Sequence, residues 1–213
     1  MTRVFTEGRG PAIWLLDDGE TAEALWAALP HDFSLLAAGA ADWERDYSPW
    51  PAPALRQGGG DFPGGGPAYL RALLAELPRA EAALGYRPPA RGMIGYSLAG
   101  LFALYALVEA EAFHMAASVS GSLWYDGWTD YLAARPLRPG SRVYLSLGSR
   151  EAKSGSPRMR TVADQTAATA AILQAGGAEV RQESNPGGHF TDPPDRMAKA
   201  LRWMMEQGQG TRD

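Results

Sequence analysis

The sequence predicts an α/β protein, a three-layer α/β/α sandwich around a mostly parallel sheet. Short apolar runs that read as strands alternate with segments of helical period along the chain. Those runs are continuously apolar instead of strictly alternating, as in strands covered on both faces. Right-handed crossovers between such strands place helices on both sides of the sheet. A length of 213 residues, 46% of them hydrophobic, suits one folded domain spanning residues 1–213.

Taken in order, residues 12–16 (AIWLL) form a short apolar strand that ends at Asp17-Asp18-Gly19. Residues 21–29 place apolar side chains at helical spacing and stop before Pro30. Residues 32–38 (DFSLLAA) read as a second strand. The stretch 39–67 is rich in proline and glycine and too long for a routine connection, so a functional or mobile role is expected. Residues 68–84 read as a helix with a kink expected at Pro78. Residues 91–96 form the third strand and 98–110 a helix, and 116–120 (AASVS) form the fourth strand, leading into aromatic-rich GSLWYDGW. A fifth strand at 142–147, a helix at 164–175 closed by Gly176-Gly177, a sixth strand at 179–184 and a last helix at 194–206 complete the series. Asp192 is the N-cap assigned to that last helix, with Pro193 in its first turn.

Composition narrows the function classes. A net charge of −4 without a basic stripe argues against nucleic acid as a partner. No run approaches the roughly 20 apolar residues of a membrane span, so no membrane partner is expected. Cysteine is absent, which removes thiolate metal sites and cysteine nucleophiles. The N-terminus lacks the apolar core of a signal peptide, making the cytoplasm the expected location.

Between the third strand and the following helix stands Gly95-Tyr96-Ser97-Leu98-Ala99-Gly100. A serine on a very tight strand–turn–helix needs small residues two positions away on either side, because their Cβ atoms would otherwise collide. Gly95 and Ala99 meet that need, and Gly100 lets the helix approach the sheet. This is a G-x-S-x-G nucleophile elbow with alanine in the last place, and it points to Ser97 as nucleophile, with the Leu98 N–H as an oxyanion donor. A serine nucleophile needs a base. Of the three histidines, His31 and His114 fall at the N-terminal edge of the sheet, while His189 follows the last strand in NPGGHF, at the end that carries Ser97. An acid should lie between the two in the chain. Glu151, after the fifth strand in SLGSREAKSG, is the candidate, although a loop carboxylate between Arg150 and Lys153 could simply be solvated. Asp164 and Asp192 are rivals that also read as helix caps, and a Ser–His pair without an acid is a further alternative. The second oxyanion donor is expected in the turn near Gly19. Two aromatic groups, Trp43, Tyr47 and Trp50 after one strand and Trp124, Tyr125 and Trp128 after another, fall on the same side of the sheet and could line a pocket or cover the sheet end.

GYSLAGLFALYAL, NPGGHF followed by an arginine-containing helix, and DWERDYSPWP together resemble the putative-esterase (esterase D-like) branch of the α/β hydrolases, and most closely siderophore esterases of the enterobactin type. The similarity runs roughly from Ile13 to Met204. It implies ester hydrolysis through an acyl-serine, with a small-molecule ester as substrate and neither metal nor cofactor. By position it implies Ser97 as nucleophile, His189 as base, Glu151 as acid, and the ERDYSPW segment as a substrate-facing loop. Trp43, Arg45, Tyr47, Trp50 and Trp124 are then the expected substrate-binding side chains, and Arg45, Arg150 and Lys153 could attract an anionic iron–catecholate. The family's antiparallel strands before the first parallel strand are expected to be shortened or missing, and its larger members' N-terminal domain absent. Acyl transfer to an alcohol on the same fold, or a non-catalytic ligand-binding or scaffold role, are the alternatives to hydrolysis.

Overall fold

A computed structural model describes residues 2–17, 19–55, 58–135, 137–153 and 155–206. The elements run β1 (Arg3–Thr6), β2 (Ala12–Leu15), α1 (Gly19–Ala28), β3 (Ser34–Ala37), α2 (Trp43–Tyr47), β4 (Pro51–Ala52), β5 (Phe62–Pro63), α3 (Gly66–Ala82), β6 (Arg91–Tyr96), α4 (Leu98–Glu109), β7 (Met115–Val119), α5 (Trp128–Ala133), β8 (Arg142–Gly148), α6 (Val162–Ala175), β9 (Glu179–Asn185) and α7 (Pro193–Glu206). Among the described residues the main sheet has seven strands, in the order β1-β3-β2-β6-β7-β8-β9. All neighbours pair in parallel except β1, which runs antiparallel to β3. Before the first parallel strand the described residues hold one antiparallel strand, the four-residue β1, where these strands were expected to be shortened or missing.

Alternation along each strand builds the two flanking layers. In β2, Trp14 faces one core with Met93, Leu101 and Phe102, while Ile13 and Leu15 face the other with Leu25, Ile94, Leu201 and Met204. Helices α1 and α7 cover the second face, and α3, α4 and α6 the first. The result is a three-layer α/β/α sandwich. No helix among the described residues is long and apolar enough to cross a membrane.

Helix α4 is apolar on every side, and residues 98–107 are all buried. A helix of that composition must be sandwiched. The sheet lies beneath it, and the stretch after β3 lies above. There α2 is started by Asp42, whose carboxylate accepts the Arg45 N–H (3.0 Å), and is tied down by Asp46, which accepts the Ala41 and Asp42 N–H groups (3.1 Å each). Tyr47 and Tyr69 then pack on Phe102, with ring centroids 5.5 and 5.3 Å away. The stretch 39–67 is therefore in part a cover for α4, and among its described residues only Leu55 reaches the cleft described below. Helix α3 runs unbroken through Pro78.

The sheet order also fixes where a site can form. From β2 the chain steps outward to β3, and from β6 it proceeds the other way to β7, β8 and β9. The crevice at the C-terminal ends of β2 and β6 is the switch point of such a sheet. The Leu16 N–H reaches the Ile94 carbonyl (2.9 Å), so the turn after β2 lies beside the end of β6.

Phe102 is fully buried among three tyrosine rings. Phe102→Ala should lower the unfolding free energy by about 3–5 kcal/mol, read from the denaturation midpoint at unchanged m-value. A loss below about 1 kcal/mol would mean that the cover over α4 does not pack as a unit.

Candidate active site

Ser97 follows β6 with φ 57° and ψ −121°, a backbone conformation that L-residues seldom adopt. The sharpness of this turn explains its small neighbours. A Cβ added at Gly95 would lie 2.3 Å from the Ala99 carbonyl oxygen, so a larger residue there would force the turn open. Ser97 occupies the N-cap of α4, yet its hydroxyl makes no capping bond. Instead Oγ lies 3.1 Å from His189 Nε2 and 3.4 Å from Ser122 Oγ. Leu98 opens α4 as its first residue, where the N–H has no partner within the helix.

His189 sits between β9 and α7. Its Nδ1 is 2.7 Å from Glu151 Oε2. That imidazole can donate from Nδ1 and present a free Nε2 lone pair to the serine hydroxyl. The loop carrying it is pinned by the Tyr96 hydroxyl, which donates to the His189 carbonyl.

Glu151 heads a short 3₁₀ turn just past β8 and is buried. Its Oε1 accepts the Gly148 N–H (2.6 Å) and Arg196 Nη1 (2.9 Å). Burial alone would raise its pKa. The bonds from His189 and the Gly148 N–H outweigh that and hold the carboxyl below its ordinary range. Strand pairing brings Glu151 and His189 together: β8 and β9 are adjacent, with Gly148 opposite Asn185. The ladder continues into the loops through Ser149 N–H to Asn185 O (2.8 Å) and Arg150 N–H to Gly187 O (2.9 Å). A Cβ at Gly148 would meet Gly187 O, Arg196 Nη2 and Glu151 Oε1, all within 2.8 Å, so glycine is required where these loops converge.

Beside Ser97 opens a cleft of about 190 Å³. Ser120, Gly121, Ser122 and Glu151 form its polar side, and Leu55, Trp124, Met159, Val162 and Phe190 its apolar side. Phe190 is 88% exposed beside the histidine, an unusual place for an aromatic ring. Among the described residues no group of three or more His, Cys, Asp or Glu side chains is placed to hold a metal ion.

Of the side chains anticipated to bind substrate, the structure puts only Trp124 on the cleft. Trp43 lies half exposed, edge-on to Tyr47. Arg45 is paired at the surface with Asp46 (2.8 Å). Tyr47 is fully buried against Phe102 and Tyr69, and Trp50 packs on Tyr125 and Tyr131 with its indole N–H on the Asp126 carbonyl (2.9 Å). Tyr47 and Trp50 thus serve the cover of α4 and α5, and Trp43 and Arg45 stay at the surface, so none of the four lines the cleft. Trp128 is likewise core, donating to Thr169 Oγ1 (3.0 Å). Gly19 is the first residue of α1, with the Arg3 side chain against it, while its neighbour Asp18 lies outside the described residues. Asp164 and Asp192 are exposed. Asp192 has φ 52°, and its carbonyl accepts the Arg196 N–H (3.3 Å) at the start of α7. His31 bonds Glu7 and the Trp26 carbonyl on the far side of the sheet, and His114 precedes β7 at that same N-terminal end. Sequence reasoning missed Arg196, although a charged residue in step with Met197, Ala200, Leu201 and Met204 on an apolar helix stripe signals a buried counter-charge.

Residues 33–193 match the family model described as putative esterase. A curated relative, the uncharacterized protein YbbA of Bacillus subtilis, is 34% identical over 126 residues, which cover 57% of this chain and 50% of the relative; the matched region thus spans half the relative's length. Among solved structures, an IroE-like serine hydrolase from Shewanella oneidensis superposes with a TM-score of 0.74 at 18% identity, covering 92% of this chain and 70% of that one. The enterochelin esterase of Shigella flexneri gives 0.70 at 21% identity, covering 96% and 54%. The siderophore hydrolase EstA of Aspergillus nidulans gives 0.67 at 19% identity, covering 94% and 84%. At these identities the structural likeness speaks for the fold.

The lowered pKa of Glu151 carries a sign for stability. Its contribution is complete above the ordinary carboxylate pKa and is lost as pH falls through its own lower value. Acidification from about pH 5 to about pH 3 should lower the denaturation midpoint of the wild type more than that of Glu151→Gln, which has no charge to lose there. Parallel pH dependence in the two proteins would contradict the assignment.

Proposed function

The chain belongs to the putative esterase family, and on that premise we propose that it is a serine carboxylic-ester hydrolase acting through an acyl-serine intermediate. The observation that carries the reading is the unbroken run of contacts Ser97 Oγ–His189 Nε2 (3.1 Å) and His189 Nδ1–Glu151 Oε2 (2.7 Å) beside an open cleft. Ser97 Oγ attacks the ester carbonyl while His189 Nε2 takes its proton, and Glu151 holds the Nδ1–H and stabilises the imidazolium. The tetrahedral oxyanion is held by the Leu98 N–H and a second donor in the turn near Gly19. Collapse breaks the bond to the alcohol oxygen, which leaves with the proton from His189. Water then gives up a proton to His189, attacks the acyl-serine and releases the acid, restoring the serine hydroxyl.

For the substrate we propose siderophore-type catecholate esters, in keeping with the named activities of the enterochelin esterase and the siderophore hydrolase that share the fold. Trp124 and Phe190 on the cleft support a flat aryl group, which would stack on one ring while its carbonyl meets Ser97.

Ser97→Ala should abolish fluorophosphonate labelling and reduce p-nitrophenyl acetate turnover by about 10³-fold or more, with stability changed by no more than about 0.5 kcal/mol. A wild type that is folded yet neither labelled nor active would sink the reading. The substrate class is tested separately, by comparing kcat/KM for an enterobactin-type triester with that for short acyl esters. The triester should be preferred by about tenfold or more, and equal or poorer efficiency on it would remove the catecholate proposal while leaving ester hydrolysis standing.

A further inference from the structure

Arg196 is 1% exposed on the apolar stripe of α7. A buried guanidinium costs several kcal/mol unless its donors are taken up. Here they are. Nη1 donates to Glu151 Oε1 (2.9 Å) and Ser120 Oγ (2.8 Å), and Nη2 donates to the carbonyls of Pro186 (2.9 Å) and Gly188 (2.8 Å). These four acceptors come from three separate parts of the site. One is the acid itself. Two are in the loop that carries His189, the nearer of them one residue before it. The last is Ser120, which follows β7 with φ 48° and lines the cleft.

We infer that Arg196 is a positioning residue that locks the Glu151 carboxylate and the His189 loop into one unit, so that the imidazole is preset against Ser97. The inference deepens the triad reading and rests on it. A planar fork can reach the four acceptors at once, whereas an ammonium on a flexible stem cannot. Without Arg196 the loop would still be held by Tyr96 on the His189 carbonyl, by the Arg150 N–H on Gly187, and by the Gly188 N–H on Thr191 Oγ1 (3.1 Å). It should therefore stay folded but lose its fixed relation to the acid. The clamp also has an electrostatic side. Among the described residues, the ionisable groups set against the His189–Glu151 pair are Arg196 from α7 and Tyr96 from β6. Removing the buried cation lets the coupled pair hold its proton more tightly, whichever of the two carries it.

The test compares wild type with Arg196→Gln and Arg196→Lys. In Arg196→Gln, kcat on p-nitrophenyl acetate should fall about 10²-fold with KM within about twofold, and the acid limb of the kcat/KM profile should move to higher pH. Arg196→Lys should lose a similar factor in kcat but keep the limb in place, because the cation remains. The ring titration of His189, followed by NMR and assigned from a His189→Ala spectrum, should shift upward in the Gln variant and stay in the Lys variant. That arm uses no ester, so it judges the clamp even if the wild type proves inactive, an outcome that would count against ester hydrolysis alone. The inference is overturned if Arg196→Gln keeps kcat within about threefold and an unmoved titration, or if only its melting temperature changes. Should the Gln variant not fold, wild-type kcat in Arg196→Lys would overturn it.

Discussion

At the junction of β6 and α4 the backbone of Ser97 is held in a conformation it would leave if its surroundings gave way, at a cost of order 1–3 kcal/mol. What holds it is a ring of backbone bonds. The Ser97 N–H donates to the Val119 carbonyl (3.0 Å), and the Ser97 carbonyl accepts from Gly100 (3.0 Å), Leu101 (3.2 Å) and Ser122 (3.0 Å). Relaxing the turn would mean sliding α4, and α4 has nowhere to go, because the sheet lies under it and the α2–α3 cover lies over it. The burial of Leu101, Phe102 and Tyr105 is thus linked to the presentation of one hydroxyl. Sequence, packing and site meet here: an all-apolar helix demands a lid, and the lid makes the strained turn the lower-energy choice.

The charged part of the site depends on a different constraint, the register of β8 against β9. Their pairing ends at Gly148 opposite Asn185, and each strand runs directly into a loop that supplies one member of the Glu151–His189 pair. Glu151 is too buried to be left alone, and its two oxygens are used by different partners: Oε2 for His189, Oε1 for Gly148 and Arg196. Such a carboxylate cannot rotate without breaking a buried bond. The imidazole tautomer is thereby selected, since Nδ1 must donate and Nε2 is left to accept from the hydroxyl.

Much of this could be read from the residues because it is local. Strand β6 coincides with the run 91–96, whose apolar character and glycines leave little choice, and the positions of Ser97, His189 and Glu151 follow from which end of a parallel sheet each loop leaves. What could not be read depends on partners distant in the chain. Strand β1 is four partly exposed residues, and only pairing with β3 makes it a strand. Helices α2 and α5 are five and six residues long, below the length at which period can be recognised, and exist through side-chain bonds and burial. The aromatic residues of the 43–50 segment announce a need for burial without saying against what: Tyr47 goes to Phe102 of α4, Trp50 to Tyr125 and Tyr131, and Trp43 stays half exposed.

The wall of the cleft shows how three such distant segments are made to act together. Arg158 reaches across to the carbonyls of Pro53 (2.8 Å) and Ala54 (3.3 Å), lies 3.1 Å from Asp126 Oδ1, and sets its guanidinium 5.4 Å from the Trp124 ring. Leu55, Trp124 and Met159, each on the cleft, are the immediate neighbours of those contacts. Ser97, His189 and Glu151 stand just past the ends of β6, β9 and β8 and are held to one another, whereas the apolar wall opposite them is carried by loops joined through one arginine. A change in the wall can therefore alter which group fits the cleft while leaving Ser97, His189 and Glu151 in place. That division, a polar cluster fixed at the sheet ends and an apolar wall on longer loops, follows from the sheet's topology and needs no special property of any single wall residue.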